Sequence, residues 1–197
     1  MKKLSLAVFT AVALFVSLNF TSCGYNTLVS EREAVNSQWA NVESQYQRRA
    51  DLVPNLVATV QGIASHETEV FTAIADARAK IGSTTIDSSA ITEDADKMQQ
   101  FQQAQSELSS GLSRLLAVSE AYPELTSSQN FLDLQSQLEG CENRIATERK
   151  RYNETAQSYN KTVQSIPTAI TAKIFGFKTK EYFKADASAS QAPVVSF

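Results

Sequence analysis

Apolar residues spaced alternately three and four apart constrain this chain more than any other feature. Leu28, Val35, Trp39, Val42, Tyr46, Val53, Leu56, Val60, Ile63, Val70, Ile74, Ala77 and Ile81 fall on one such repeat. A seam of this kind belongs to long helices packed side by side with a left-handed supercoil. Phe101, Leu108, Leu112 and Leu115 make a second seam, with Gln105 and Ser119 as polar members. Phe131, Leu134, Leu138, Cys141, Ile145, Tyr152, Tyr159 and Ile166 make a third. Few segments alternate with period two, so strands are not expected. The fold class is all-α: an elongated antiparallel up-and-down helical bundle.

The first seam passes Pro54 and Gly62 without changing phase. That predicts one long first helix, kinked near Ala50 because Pro54 lacks a backbone donor and crowds the preceding turn. Residues 82–89 read as a loop. A second helix is predicted over 92–121, stopped by Tyr122-Pro123, since a residue before proline avoids the helical region. A third is predicted over 125–166, closed by Pro167, with a short helix over 168–175. Residues 184–197, small, polar and Pro-containing, read as a loose tail.

The N-terminus carries a different pattern. Lys2 and Lys3 precede an uncharged apolar run from Leu4 to Phe20, and Thr21-Ser22 lead into Cys23. A basic start, an apolar stretch and small residues before a processing point form a secretory signal. Ending it on cysteine points to a bacterial lipoprotein, with Cys23 acylated as the new N-terminus. The alternative is an uncleaved transmembrane anchor, for which a run of 17 is short. Either way the rest of the chain lies outside the cytoplasm, on the cell membrane or the outer membrane. The expected division is a signal at 1–22, a bundle domain at 23–183 and a tail at 184–197.

Losing Lys2 and Lys3 takes the 18 basic residues to 16, against 21 acidic ones, for a net charge of −5. A mildly acidic chain without a Lys/Arg cluster argues against nucleic acid as a partner. With Cys23 acylated, Cys141 has no partner for a disulfide; on its seam it reads as a small buried hydrophobe. One histidine, His66, cannot supply the two-histidine di-metal site of carboxylate bundles. No catalytic triad, phosphate loop or nucleophile elbow is legible. No catalytic residue, metal or cofactor is therefore expected, and the chain reads as a non-enzyme.

Charged residues on the seams stand out. Arg49 and Glu67 lie on the first seam and Glu148 on the third. A buried charge is costly unless paired, so structural ion pairs that fix helix register are expected. Arg49 should be withdrawn from water and joined to Glu148, with Glu120 as second choice; Glu67 lies roughly 27 Å along the same helix. Asn153 and Asn160 are seven apart, beside Tyr152 and Tyr159, and are interaction candidates. They suit either interhelical hydrogen bonds or a ladder displayed to a partner helix.

The segment from Tyr25 to Glu67 resembles the LemA family, in Tyr25-Asn26, Leu28-Val29, Trp39, Arg48-Arg49, Asp51-Leu52, Pro54-Asn55-Leu56-Val57 and His66-Glu67. Glu120, Tyr122-Pro123, Leu125, Arg149, Tyr152-Asn153, Tyr159-Asn160 and Pro167 extend the likeness over nearly the whole mature chain. The resemblance implies a membrane-anchored bacterial helical bundle and carries no assigned activity. Many members have a transmembrane helix directly before the Tyr-Asn pair, where this chain has its Cys-terminated segment. The expected function is a lipid-anchored envelope scaffold or adaptor with an unidentified protein partner. The alternatives are a metal- or ligand-binding bundle using buried carboxylates, and a self-assembling homo-oligomer.

Overall fold

In the computed structural model the backbone is described for residues 2–84 and 88–184, and side chains for 24–83 and 89–184. Among the described residues there are seven helices: α1 (Lys2–Gln61), α2 (Thr68–Thr84), α3 (Ser88–Glu93), α4 (Ala95–Ser119), α5 (Pro123–Thr126), α6 (Gln129–Gln164) and α7 (Thr168–Phe175). α1 runs unbroken through Pro54.

The single first helix predicted from the seam is in fact two. α1 stops at Gln61, where the Ile63 and Ala64 amides both bond back to the Val60 carbonyl, at 3.1 and 2.8 Å. Gly62 opens this turn and Glu67 closes it, its carbonyl accepting from the Phe71 amide of α2 at 3.4 Å. Glu67 thus sits in a turn and not on a seam, and Ile63 is exposed. Thr68 at the start of α2 follows Gln61 at the end of α1 by seven positions. That is one heptad, so the apolar phase survives a reversal of direction.

Elsewhere the seams hold, except that Ile166 at the end of the third is exposed. Leu28, Val35, Trp39, Val42, Tyr46, Val53, Leu56 and Val60 are buried on α1, and Phe101, Gln105, Leu108, Leu112, Leu115 and Ser119 on α4. Asp94 starts α4 by accepting the Asp96 and Lys97 amides at 2.9 and 3.2 Å, an N-cap that fills two orphan donors. Ser119 satisfies its hydroxyl on the Leu116 carbonyl of its own helix at 2.6 Å.

Side-chain pairs set the directions. α6 runs antiparallel to α1: Asn130 reaches Thr59, the Cys141 thiol reaches the Gln45 carbonyl, and Gln38 reaches Glu148. α2 runs antiparallel to α4, through Lys80–Glu107 at 2.6 Å and Ile74 against Gly111. A Cβ at Gly111 would lie 3.0 Å from Ile74, so glycine is what permits this approach. α4 runs parallel to α1, Phe101 meeting Trp39 and Ser109 meeting Arg49. The result is the expected up-and-down architecture with one helix more than the three long ones predicted, α1, α2, α4 and α6 running up, down, up and down.

Its core divides in two along the axis. Leu28 to Tyr46 of α1 join Phe101, Cys141, Ile145, Tyr152, Tyr159 and Phe183. Val53 to Val60 join Ile74, Leu108, Leu112, Leu115, Phe131 and Leu134. Arg49 lies at the joint. Among the described residues no helix is long and apolar enough to cross a membrane.

Candidate functional site

The most organised polar features lie along α6, and the chain's own C-terminal segment fills them. After Gly176, whose φ of 71° gives α7 a left-handed cap, residues 177–184 run without helix back along the bundle. The Lys180 amide donates to Asn160 Oδ1 at 2.7 Å, and Asn160 Nδ2 donates to the Lys180 carbonyl at 2.8 Å. Three residues on, the Phe183 amide donates to Asn153 Oδ1 at 2.9 Å, and Asn153 Nδ2 donates to the Phe183 carbonyl at 3.0 Å. Seven helical residues rise roughly 10.5 Å, close to the roughly 9–10 Å of three extended ones. The seven-residue spacing of the asparagines therefore matches a three-residue spacing in the arm. The ladder expected to bind a partner helix or a neighbouring helix holds an extended arm instead.

The arm is also packed. Phe183 stacks on Trp39 (centroids 5.6 Å, 12° between planes) and stands edge-on to Tyr152 at 5.4 Å. Lys180 is buried, its Nζ bonded to Glu93 at 2.8 Å and Thr92 at 3.1 Å. Tyr152 donates to the Glu181 carbonyl at 3.0 Å. Lys184, assigned from sequence to the tail, is held too: its amide donates to Gln102 and its carbonyl accepts from Arg149. The rest of the expected tail, 185–197, lies outside the described residues.

Arg49 is 2 % exposed, as its seam position predicts, but its partner is neither Glu148 nor Glu120. Its guanidinium donates to Glu142 at 2.9 Å, to Ser109 at 2.8 Å and to both the side chain and the carbonyl of Gln105. Glu148 accepts from Gln38 at 2.6 Å and pairs with Arg151 at 2.8 Å, and Glu120 merely follows the end of α4. The antiparallel register explains the difference. Trp39 meets Tyr152 and Gln45 meets Cys141, which puts Arg49 level with Glu142. Glu148 is six residues, roughly 9 Å, away along α6. A polar cleft of about 90 Å³ opens beside this cluster, lined by Tyr46, Arg49, Gln105, Ser109, Glu142 and Arg149. Among the described residues no three His, Cys, Asp or Glu side chains gather in a metal-ligating group.

Burial pushes Tyr46 and Tyr152 up, raises Tyr159 to about 12, and raises the Cys141 thiol, all by penalising the charged form. Unfolded, these groups ionise at their ordinary values of 10.0 and 9.0. Their contribution to stability is complete below those values and is lost as pH rises through the folded ones. The denaturant midpoint should accordingly fall from about pH 9 upwards, with the tyrosinate absorbance of Tyr46, Tyr152 and Tyr159 appearing together with unfolding. Ionisation of these three tyrosines well below the unfolding transition would contradict their burial.

These features define a class: a helical bundle carried on its first helix and closed by a C-terminal arm clamped to the last long one. The family model for LemA matches residues 38–197, and the chain belongs to the LemA family. Membrane association comes with that membership. The chain is 29% identical over 206 residues to Magnetosome protein MamQ 2 of Paramagnetospirillum magneticum, across 97% of this chain and 74% of the relative. It is 28% identical over 208 residues to Magnetosome protein MamQ of Magnetospirillum gryphiswaldense, across 98% of this chain and 75% of the relative. The Cys23 side chain lies outside the described residues.

Proposed function

We propose that this protein is a non-enzymatic scaffold or adaptor of the cell envelope, lipid-anchored through Cys23 and presenting the sides of its bundle to a partner protein. The observation that supports it is that α1 is already helical at Gly24 and stays so into the bundle, so an anchor at Cys23 would join the bundle without a linker. From Gly24 to Gln61 that helix extends roughly 57 Å, so a membrane attachment at one end would fix the height of every face above the bilayer. The buried polar groups Arg49, Asn160 and Lys180 and the half-buried Asn153 are spent on holding the fold together. Cross-linking in intact cells, followed by identification of what co-purifies, tests the reading; a reproducible protein partner is expected. Stoichiometric metal in protein purified without a metal-binding tag would favour a metal-binding bundle instead.

The anchor has its own test. Cys23→Ala should abolish metabolic lipid labelling and release or mislocalise the protein. If the variant stays membrane-bound at full signal length, the N-terminal segment is an uncleaved transmembrane anchor.

A further inference from the structure

Among the described residues, α7 carries the most strongly exposed large apolar side chains of any helix. Ile170 and Ile174 are 61% and 68% exposed, and Ile166, just before the helix, is 85% exposed. Ile170 and Ile174 are four apart, on the side opposite the buried Thr171 and Ala172, so they form one face. A contiguous apolar patch on an otherwise polar bundle marks an interaction surface. Its position says what it meets. Gly24 is buried against α7, so closely that a Cβ there would stand 3.3 Å from Thr168 and 3.5 Å from Thr171. At the other end of α7, Phe175 packs on Tyr25 with ring centroids 4.8 Å apart. Both ends of α7 touch neighbouring residues of α1, so the short helix crosses α1 directly after the anchoring segment.

Charge agrees. From Thr155 to Lys180 the chain has no acidic residue and four lysines. Lys180 is buried, leaving Lys161, Lys173 and Lys178 exposed around the apolar face. Glu31, on α1, is seven residues beyond Gly24, roughly 10 Å further from the anchor.

We propose that α7 lies on the bilayer that anchors this chain, with Ile166, Ile170 and Ile174 among the acyl chains and the three lysines at anionic headgroups. This deepens the membrane-anchor reading and rests on it. An apolar face rimmed by lysine is the pattern of an interfacial helix. Three isoleucines bury too little surface to hold a free helix on a membrane. α7 is already tethered beside the anchor, so its insertion is intramolecular and draws on a high effective concentration. The lysines add attraction to an anionic leaflet that falls with salt.

The test uses the full chain in vesicles of equal parts phosphatidylcholine and phosphatidylglycerol, with a benzoylphenylalanine photo-cross-linker placed in turn at Ile170, Ile174 and the exposed Leu132 of α6. Flotation of each protein with the vesicles reports the anchor independently. Lipid adducts at 170 and 174 in several-fold excess over 132, reduced in phosphatidylcholine alone, are expected. Flotation with adducts at 170 and 174 no greater than at 132 would overturn the proposal and leave the anchor standing. Cross-links from 170 to a second copy of the chain would overturn it in favour of a self-association face. Failure to float would overturn the membrane-anchor reading and this one with it.

Discussion

Phe183→Ala should destabilise the bundle by about 3–5 kcal/mol, the cost of emptying a buried aromatic site. Its ring lies between Trp39 and Tyr152, near Phe101 at 6.4 Å and under the Arg149 guanidinium at 4.8 Å. Removing it leaves a void that three rigid aromatic rings cannot close, and it loosens the clamp that Asn153 makes on the same residue's backbone. Leu132→Ala, at an exposed apolar position of α6, should stay within about 0.5 kcal/mol. Urea unfolding of the two variants, compared at unchanged m-value, reads the difference. Equal midpoints would mean that the arm contributes nothing to the folded core. Hydrogen exchange adds a local measure, since the Lys180 and Phe183 amides should lose protection in Phe183→Ala before the amides of α6 do.

The arm also marks the limit of what the sequence discloses. Heptad seams report helices because an apolar stripe can be buried in only one way on a rod. They placed most of the core of α1, α4 and α6, missing Met98, Ala104, Ala156 and Val163. An extended segment has no such stripe. The arm buries Lys180 and Phe183, three apart, and a lysine at a buried position resembles a surface residue until Glu93 and Thr92 are seen around it. The signal that did exist was on the other side, in the repeated Tyr-Asn pairs 152–153 and 159–160. Their spacing disclosed a ladder but not what it holds, because side-chain amides pair equally well with a helix, a strand or an arm.

The break after Gln61 was hidden for a different reason. Periodicity records which residues face inward, and a step of one heptad from helix to helix leaves that record unaltered while the chain turns round. Gly62 was the local sign of a turn, and the continuous phase outweighed it. Arg49 combines both lessons. Its burial follows from its own helix, whereas its partner depends on how far α6 has slid along α1, which neither helix encodes alone.

That register makes Arg49 the best place to test the architecture. Glu142→Leu leaves a guanidinium 2 % exposed with no carboxylate, and should cost about 3 kcal/mol. The figure sits at the low end of the range for broken buried pairs because the Glu142 side chain is 42% exposed and can share its charge with water. Arg49→Met should cost less, about 1–2 kcal/mol: the freed carboxylate turns to solvent, and Ser109 keeps its bond to the Gln105 carbonyl at 3.2 Å. The Arg49 Nε atom is buried without a hydrogen-bond partner among the described residues, so a thioether in its place removes a group that is incompletely satisfied. With the arginine gone the carboxylate has nothing left to neutralise, and the double variant should cost no more than Arg49→Met alone. The coupling is then about 3 kcal/mol in magnitude. Glu148→Leu combined with Arg49→Met should be additive, since Glu148 spends its oxygens on Gln38 and Arg151. Additivity with Glu142 and coupling with Glu148 would place α6 about six residues out of this register and overturn the pairing of α1 with α6.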